Sequence, residues 1–197
     1  KHINPAPVSA GRQIATALAL AGLASFSLAA IAADYVGIND LGASRDNQDG
    51  SGASGSYATS IGTWTKASGL ASTAVGSRAN AGAESAVAIG ASADATGSAA
   101  IALGEESAAS ANADTAIGRK SKATGGQSTA IGSGAAASGN LSSAIGAGST
   151  ASGIRSLASG SGASATAGSA TAIGTEAQAT ATSATGVGAK AQATAIS

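Results

Sequence analysis

The chain of 197 residues contains no cysteine, two prolines and only 2% aromatic residues. The absence of cysteine excludes disulfides, thiolate zinc sites and a cysteine nucleophile, and it fits a protein that is exported unfolded. Most globular cores are anchored on large aromatic rings, and this chain has too few of them for that. The sequence therefore predicts a thin interior built from small side chains.

Charge is scarce as well. Charged residues make up 10% of the chain, against about a quarter in an average domain, and the formal net charge is zero. Disordered chains are usually rich in charge or proline, so ordinary disorder does not fit this composition. The 29 glycines favour closely stacked strands or a low-complexity fibre.

The first thirty-three residues read as a secretory signal peptide. Residues 14–33 carry no charge and follow Lys1, His2 and Arg12, and small residues precede Asp34 as a signal peptidase requires. A transmembrane helix is the alternative, because twenty uncharged residues can cross about 30 Å of hydrocarbon. Ten of those twenty are Ala or Gly, and no basic stop-transfer cluster follows, which favours the signal peptide.

One spacing dominates the rest of the chain. A glycine recurs every fourteen residues, ten times in all, and we call these residues the turn glycines. They are Gly62, Gly76, Gly90, Gly104, Gly118, Gly132, Gly146, Gly160, Gly174 and Gly188. Such a period is typical of repeat architectures in which every unit is one structural rung. We expect the chain to leave a strand at these glycines through a turn with positive φ or close backbone approach.

The residue before the turn glycine is aliphatic in nine of ten repeats, and we call this position the aliphatic column. Its aliphatic members are Ile61, Val75, Ile89, Leu103, Ile117, Ile131, Ile145, Ile173 and Val187, while Ser159 is the exception. Alanine stands five residues after every turn glycine. Because charge avoids both positions, we interpret both columns as structural core.

The thirteen charged residues from Tyr57 onward define an outside. They fall one, two, four or eight to ten residues after a turn glycine, Asp114 among them. The alternation has period two, which is typical of strands. Each unit has room for two strands of about five residues and two tight turns. The sequence therefore predicts an all-β protein, a parallel β-solenoid with fourteen residues per coil and about ten coils, flattened into a two-sided roll.

Alanine also stands two residues before the turn glycine in eight of ten repeats, with Ser60 and Gly186 as exceptions, and we call this position the alanine column. Period two puts it on the face opposite the aliphatic column. A small, uncharged outer face is best explained by another surface packed on it, most economically an identical chain in a symmetric oligomer. The alternative is an exposed face that is merely rich in alanine.

The two ends of the repeat region differ from its middle. Residues 34–56 form a run-in, in which Asp46, Asn47, Gln48 and Asp49 predict a polar cap over the open sheet end. A calcium loop is the alternative, although the alternating ligand spacing is absent. Ser197 ends in mid-coil, so we expect the sequence to be a piece of a longer chain.

SAVAIGASADATG (residues 85–97), SAAIALGEESAASA (98–111) and TAIGSGAAASG (129–139) resemble the head repeats of trimeric autotransporter adhesins, the YadA-like surface proteins of Gram-negative bacteria. The resemblance covers about residues 53–197. It implies a signal peptide over 1–33, a run-in over 34–56 and head repeats over 57–197. It also implies a homotrimer of left-handed β-rolls on the cell surface, held by a stalk and an outer-membrane anchor beyond this sequence. Ser159 departs from the family pattern and predicts one loosened coil.

Several functions are disfavoured by the residues. His2 is the only histidine, so a mature chain has no imidazole to activate a serine, and the adjacent Glu105 and Glu106 diverge on a turn. We predict no enzyme activity, no metal and no cofactor. Residues 34–197 hold eight basic and ten acidic side chains, which does not favour nucleic acid. Ser or Thr stands six residues after nine of the ten turn glycines. Such a regular row of hydroxyls could bind ice, or it could simply keep an uncharged β face soluble.

Adhesion is the function that the resemblance implies, with a host extracellular-matrix protein or cell-surface receptor as the partner. Three copies of a repetitive surface would add avidity to weak contacts. Weak candidates for ligand contact are Trp64, Arg119, Lys120 and Lys122, although Trp64 could instead pack against the segment around Tyr57. A structural spacer that binds nothing is the main alternative.

Overall fold

The computed structural model describes residues 52–194, which form twenty short strands in two parallel sheets of ten. The strands are β1 Thr59–Ile61, β2 Lys66–Ala67, β3 Thr73–Val75, β4 Asn80–Ala81, β5 Val87–Ile89, β6 Asp94–Ala95, β7 Ile101–Leu103, β8 Ala108–Ala109, β9 Thr115–Ile117, β10 Lys122–Ala123, β11 Thr129–Ile131, β12 Ala136–Ala137, β13 Ser143–Ile145, β14 Thr150–Ala151, β15 Leu157–Ser159, β16 Ser164–Ala165, β17 Thr171–Ile173, β18 Gln178–Ala179, β19 Thr185–Val187 and β20 Gln192–Ala193. Odd-numbered strands form sheet A and even-numbered strands form sheet B. No helix occurs in this range.

Each fourteen-residue unit is one coil of the solenoid. A coil gives three residues to sheet A and two to sheet B, and each strand pairs in parallel with the strands one coil away. Ile117 lies beside Ile131, and Ala123 lies beside Ala137, so the pairing offset equals the sequence period. The predicted parallel β-solenoid of about ten coils is confirmed. Its strands are shorter than the five residues expected, because both turns of a coil contain a left-handed residue, such as Ala113 at φ 53° and Lys120 at φ 59°.

The turn glycines lie at the exit from sheet A, as expected, and all have φ between 122° and 138°. A Cβ atom on Gly118 would stand 2.6 Å from the carbonyl oxygen of Gly132 in the next coil. Conformation therefore disfavours a side chain at every turn glycine, and space also excludes one from Gly62 to Gly174. The ladder continues through the turn, since the Lys120 N–H donates to the Glu105 carbonyl at 2.8 Å.

The interior of the roll consists almost entirely of alanine and serine. Four positions of the coil point inward: two residues before the turn glycine, and three, five and ten residues after it. The alanine five residues after the turn glycine is fully buried from Ala67 to Ala179, as predicted. Inward hydroxyls donate to turn carbonyls, as from Ser121 to Gly118 at 2.9 Å. The two sheets are thus separated by little more than methyl groups and short hydroxyl side chains.

The prediction that the aliphatic column forms the core is wrong for the described chain. Ile89 and Ile145 are each 42% exposed, and Val187 is 66% exposed. The residues to which the correction applies are Ile61, Val75, Ile89, Leu103, Ile117, Ile131, Ile145, Ile173 and Val187, all partly or largely exposed. A three-residue strand has one inward position, its middle, and that position holds alanine. The thin interior has no room for a branched side chain there.

Two related predictions are corrected with it. The alanine column, expected on the outside, is buried, and Ala74, Ala88, Ala102, Ala116, Ala130, Ala144, Ala158 and Ala172 have no exposed surface. The alternation was therefore predicted correctly, but inside and outside were exchanged on sheet A. Asp114, expected on the outside with the other charges, is also fully buried.

Some predictions fall outside the described residues. These are the signal peptide over 1–33 and most of the run-in over 34–56, including the polar cap of Asp46, Asn47, Gln48 and Asp49. Within residues 52–194 no helix is long and apolar enough to cross a membrane.

Candidate interaction surfaces

The outward side of sheet A is an uncharged strip of aliphatic and hydroxyl side chains. It consists of the aliphatic column and the column two residues before it, and we call it the outer A face. The second column holds Thr59, Thr73, Val87, Ile101, Thr115, Thr129, Ser143, Leu157, Thr171 and Thr185. Most of these side chains are neither fully buried nor fully exposed. Branched side chains suit such a half-covered strand face.

The outward side of sheet B is largely polar, and its exposed strand residues include Lys66, Lys122 and Gln178. Its exposed hydroxyl ladder includes Thr166, Thr180 and Thr194, six residues after their turn glycines. Neighbouring coils also interact through side chains here, since the Asn80 amide donates to the Asp94 carboxylate at 2.7 Å. The two sheets therefore present opposite chemistry to the outside.

Most of the charge lies on the turn that joins sheet A to sheet B. Side chains at the second position of this turn pair with those one coil away. Lys120 lies 3.5 Å from Glu106, and Lys190 lies 3.8 Å from Glu176. All four side chains are more than half exposed, so each pair adds little stability.

The basic cluster predicted from the sequence is brought together on this turn and the adjoining strand. Arg119, Lys120 and Lys122 are all exposed in one coil. Lys120 and Lys122 line a shallow depression together with Glu106 and Gly134. The Glu106 carboxylate partly neutralises this edge, because it is paired with Lys120.

Trp64 occupies the same turn position near the beginning of the described range, and 44% of it is exposed. The guanidinium carbon of Arg78, one coil further along, lies 5.0 Å from the centre of the Trp64 ring, a cation–π distance. Tyr57 is itself 91% exposed, so it cannot be the residue that covers this ring. Trp64 therefore stacks with Arg78. Its packing against the capping segment around Tyr57 stays a prediction, because most of that segment lies outside the described residues.

Asp114 is a charged residue that the sequence analysis expected on the outside, and it is fully buried. Its Oδ1 accepts hydrogen bonds from the Gly126 N–H at 3.0 Å, the Ser128 N–H at 2.9 Å and the Ser128 hydroxyl at 2.8 Å. Its Oδ2 accepts from the Ala111 N–H at 2.9 Å. The carboxylate thus closes its own turn and the turn of the next coil. The sequence did indicate that this position is buried, since every other described residue ten positions after a turn glycine is Ser or Ala.

No group of three or more His, Cys, Asp or Glu side chains that could hold a metal occurs in residues 52–194. Ionisable groups of opposite sign pair on exposed turns, and the buried carboxylate of Asp114 is engaged by backbone and hydroxyl donors. What the described chain presents is therefore a set of surfaces: the outer A face, the polar B face and a charged turn.

These features define a parallel β-solenoid in which a fourteen-residue coil presents one apolar outer face. Within that class, the family model of the YadA head domain repeat matches residues 53–79, 67–93, 81–107, 95–118, 109–135, 137–163 and 151–177. The matches span more than half of the chain, so the chain belongs to the YadA head domain family. No curated protein matched it.

Membership gives the function in coarse terms. YadA head domains belong to surface-displayed trimeric autotransporters of Gram-negative bacteria, and the repeats indicate an adhesin-type head. The family and the β-solenoid fold are non-enzymatic in kind.

Proposed function

We propose that this chain is the head of a bacterial surface adhesin that assembles as a homotrimer and binds a host extracellular-matrix protein or cell-surface receptor. It acts outside the cell, on the outer membrane of a Gram-negative bacterium, and needs no cofactor. The observation that carries the proposal is the outer A face, which presents partly exposed aliphatic side chains in nine of ten coils and no charge in any of them.

The outer A face supports self-association for a quantitative reason. Ten coils about 4.8 Å apart and a strip about 10 Å wide give an uncharged surface of roughly 480 Å² per chain, similar in size to the largest patches on monomeric proteins. Such patches mark interaction sites. An identical chain is the partner proposed for this strip, because a strip without charge meets no like-charge repulsion when it packs on its own copy.

Self-association through the outer A face leaves the polar B face and much of the charged turn for a ligand. Each contact with exposed polar or charged side chains is weak. A trimer presents every contact three times, and linked contacts raise overall affinity by about 10² to 10⁴ where the partner can engage several at once. A fibrous matrix protein or a clustered receptor meets that condition.

A spacer that only extends a surface fibre is the second candidate. The pairing of Glu106 with Lys120 and of Glu176 with Lys190 favours it, since these charges already have partners. Under this function the charged turns serve solubility and contact between coils, and no ligand is bound.

Solid-phase binding of the purified chain to immobilised collagen, fibronectin and laminin, and to cultured host cells, separates the two functions. The adhesin predicts saturable binding at micromolar concentration or below. The matched control is the double variant Ile117→Asp/Ile131→Asp, called the outer-face variant, which places two carboxylates on the proposed contact strip. It should bind at least about tenfold more weakly because avidity is lost. Absence of binding by the unaltered chain to every surface would favour the spacer.

A further inference from the structure

The repeat that builds the outer A face also creates an ambiguity in how copies align. If one copy slides along another by one coil, about 4.8 Å, aliphatic residues meet aliphatic residues again. Only the contacts of the end coil are lost. A uniform strip would therefore pack almost equally well in several axial registers, as repetitive strands do when one face carries no distinguishing residue.

One coil breaks this uniformity. In β15 the aliphatic column holds Ser159, and the column two residues before holds Leu157. Ser159 lies between Ile145 and Ile173 on sheet A, and Leu157 lies between Ser143 and Thr171. The large and small side chains are thus exchanged relative to both neighbouring coils. The Ser159 hydroxyl makes no hydrogen bond within residues 52–194, and the residue is only partly exposed.

We infer that Leu157 and Ser159 set the axial register between copies of this chain packed side by side on their outer A faces. The inference rests on the self-association in the proposed function. In register, Ser159 hydroxyls of different copies lie at one level and can hydrogen-bond to each other. After a slip of one coil, each hydroxyl faces Ile145 or Ile173 and is buried unpaired, which is unfavourable. A lone polar residue sets register in apolar coiled-coil seams for the same reason.

The strip has a second irregularity, but it distinguishes neighbouring axial registers less well. Val87 and Ile101 are large aliphatic residues in the same column as Leu157, but they occupy adjacent coils. A slip of one coil still places one of them on the other. Leu157 has no such neighbour, since Ser143 and Thr171 flank it. The coil at 157–159 is therefore the part of the strip that most distinguishes a slip of a single coil.

Disulfide trapping tests the inference cleanly, because the chain has no cysteine of its own. Two single-cysteine chains, Thr115→Cys and Thr129→Cys, are refolded together and oxidised, and cross-linked tryptic peptides are identified by mass. These positions are adjacent on sheet A, so a 115–129 cross-link between copies reports a slip of one coil. Cross-links between identical positions report correct register, since disulfides need Cα atoms within about 7 Å.

The test variant erases the irregular coil by Leu157→Thr with Ser159→Ile, which restores the pattern of β9 and β11. In the unaltered background we expect cross-links between identical positions. In the test variant the 115–129 fraction should rise roughly tenfold, the factor by which one unpaired buried hydroxyl shifts an equilibrium. Both side chains point outward, so circular dichroism of the two backgrounds should agree.

A second variant moves the irregular coil instead of erasing it, by adding Ser143→Leu and Ile145→Ser to the test variant. Mixed with unaltered chains, it should cross-link with an offset of one coil. If oligomers of the test variant keep correct register and the moved coil produces no offset, the register inference is overturned while self-association stands. If light scattering finds only monomers of the unaltered chain, the proposed assembly fails, and the register inference fails with it.

Discussion

Ala116 and Ile117 are adjacent in β9, yet they belong to two different contacts. Ala116 has no exposed surface and lies between the two sheets of one chain, whereas Ile117 lies on the outer A face. Small side chains hold the coil together, and large ones cover its outside. In most domains the large aliphatic residue is the buried one. The comparison shows that hydrophobicity and burial within one chain are separated in this roll, as the proposed packing against a copy of itself requires.

The largest effect is expected at the inner position. Ala116→Asp would bury a carboxylate without a partner between two sheets that leave room for a methyl group. We expect a loss of at least about 3 kcal/mol and opening of the neighbouring coils, since a solenoid is held by its nearest-neighbour contacts. Thermal melting by far-UV circular dichroism measures this. Ile117→Asp is the matched control, with the same charge one residue further along; equal destabilisation would break the comparison.

Removing the buried carboxylate of Asp114 should cost less. In Asp114→Ala, the Gly126 and Ser128 N–H groups lose this acceptor, and the Ser128 hydroxyl keeps only the Ala137 carbonyl at 3.2 Å. A buried group left unpaired costs about 1–3 kcal/mol, so we expect a clear drop in Tm. The control is Glu84→Ala on an exposed turn, which should stay within about 0.5 kcal/mol of the unaltered chain. Equal Tm values for the Asp114→Ala variant and the unaltered chain would mean that the turn at 125–128 closes without the carboxylate.

The outer-face variant tests whether the aliphatic column serves association between copies and not the fold of one chain. Ile117→Asp/Ile131→Asp should keep the β spectrum, because neither side chain is needed between the sheets. Its mass in solution should fall to that of one chain, 17.9 kDa. Size-exclusion chromatography with light scattering measures this. A variant that loses its β spectrum would place the aliphatic column back in the core.

The smallest effect is expected on the charged turn. Glu106→Gln removes the partner of Lys120 on a surface that is more than half exposed. We expect a change of about 0.5 kcal/mol or less, which disappears at high salt. Chemical denaturation at low and high ionic strength detects it. A large loss would mean that the ion pair between coils, and not the alanine interior, carries part of the stability.

Much of the fold could be predicted from the sequence, because each coil repeats the same backbone constraint. The interval between turn glycines gave the coil length, and the constant alanine five residues later is buried as predicted. The error lay on sheet A, where apolar character at Ile117 was equated with burial inside the chain. A single sequence with period two fixes which residues share a face, but it does not say which face is inward. The room between the sheets decides that, and only methyl-sized groups fit.

The surfaces were predicted less completely than the fold. Arg119, Lys120 and Lys122 lie together because they share one coil, which sequence distance alone indicates. The stack of Arg78 on Trp64 joins residues fourteen positions apart, and it follows once the coil length is known. Asp114 was placed with the exposed charges because charge ordinarily means exposure. Its four hydrogen-bond donors come from two adjacent turns, its own turn and that of the next coil, and they satisfy the buried carboxylate.

Thiol accessibility at two adjacent positions tests the central claim most directly. In the outer-face variant, which we expect to be monomeric, Ala144→Cys and Ile145→Cys are each treated with a maleimide under native conditions. Ala144 has no exposed surface and Ile145 is 42% exposed. We predict that the thiol at 145 reacts rapidly and the thiol at 144 reacts only after denaturation. Rapid reaction at 144 with protection at 145 would contradict the account.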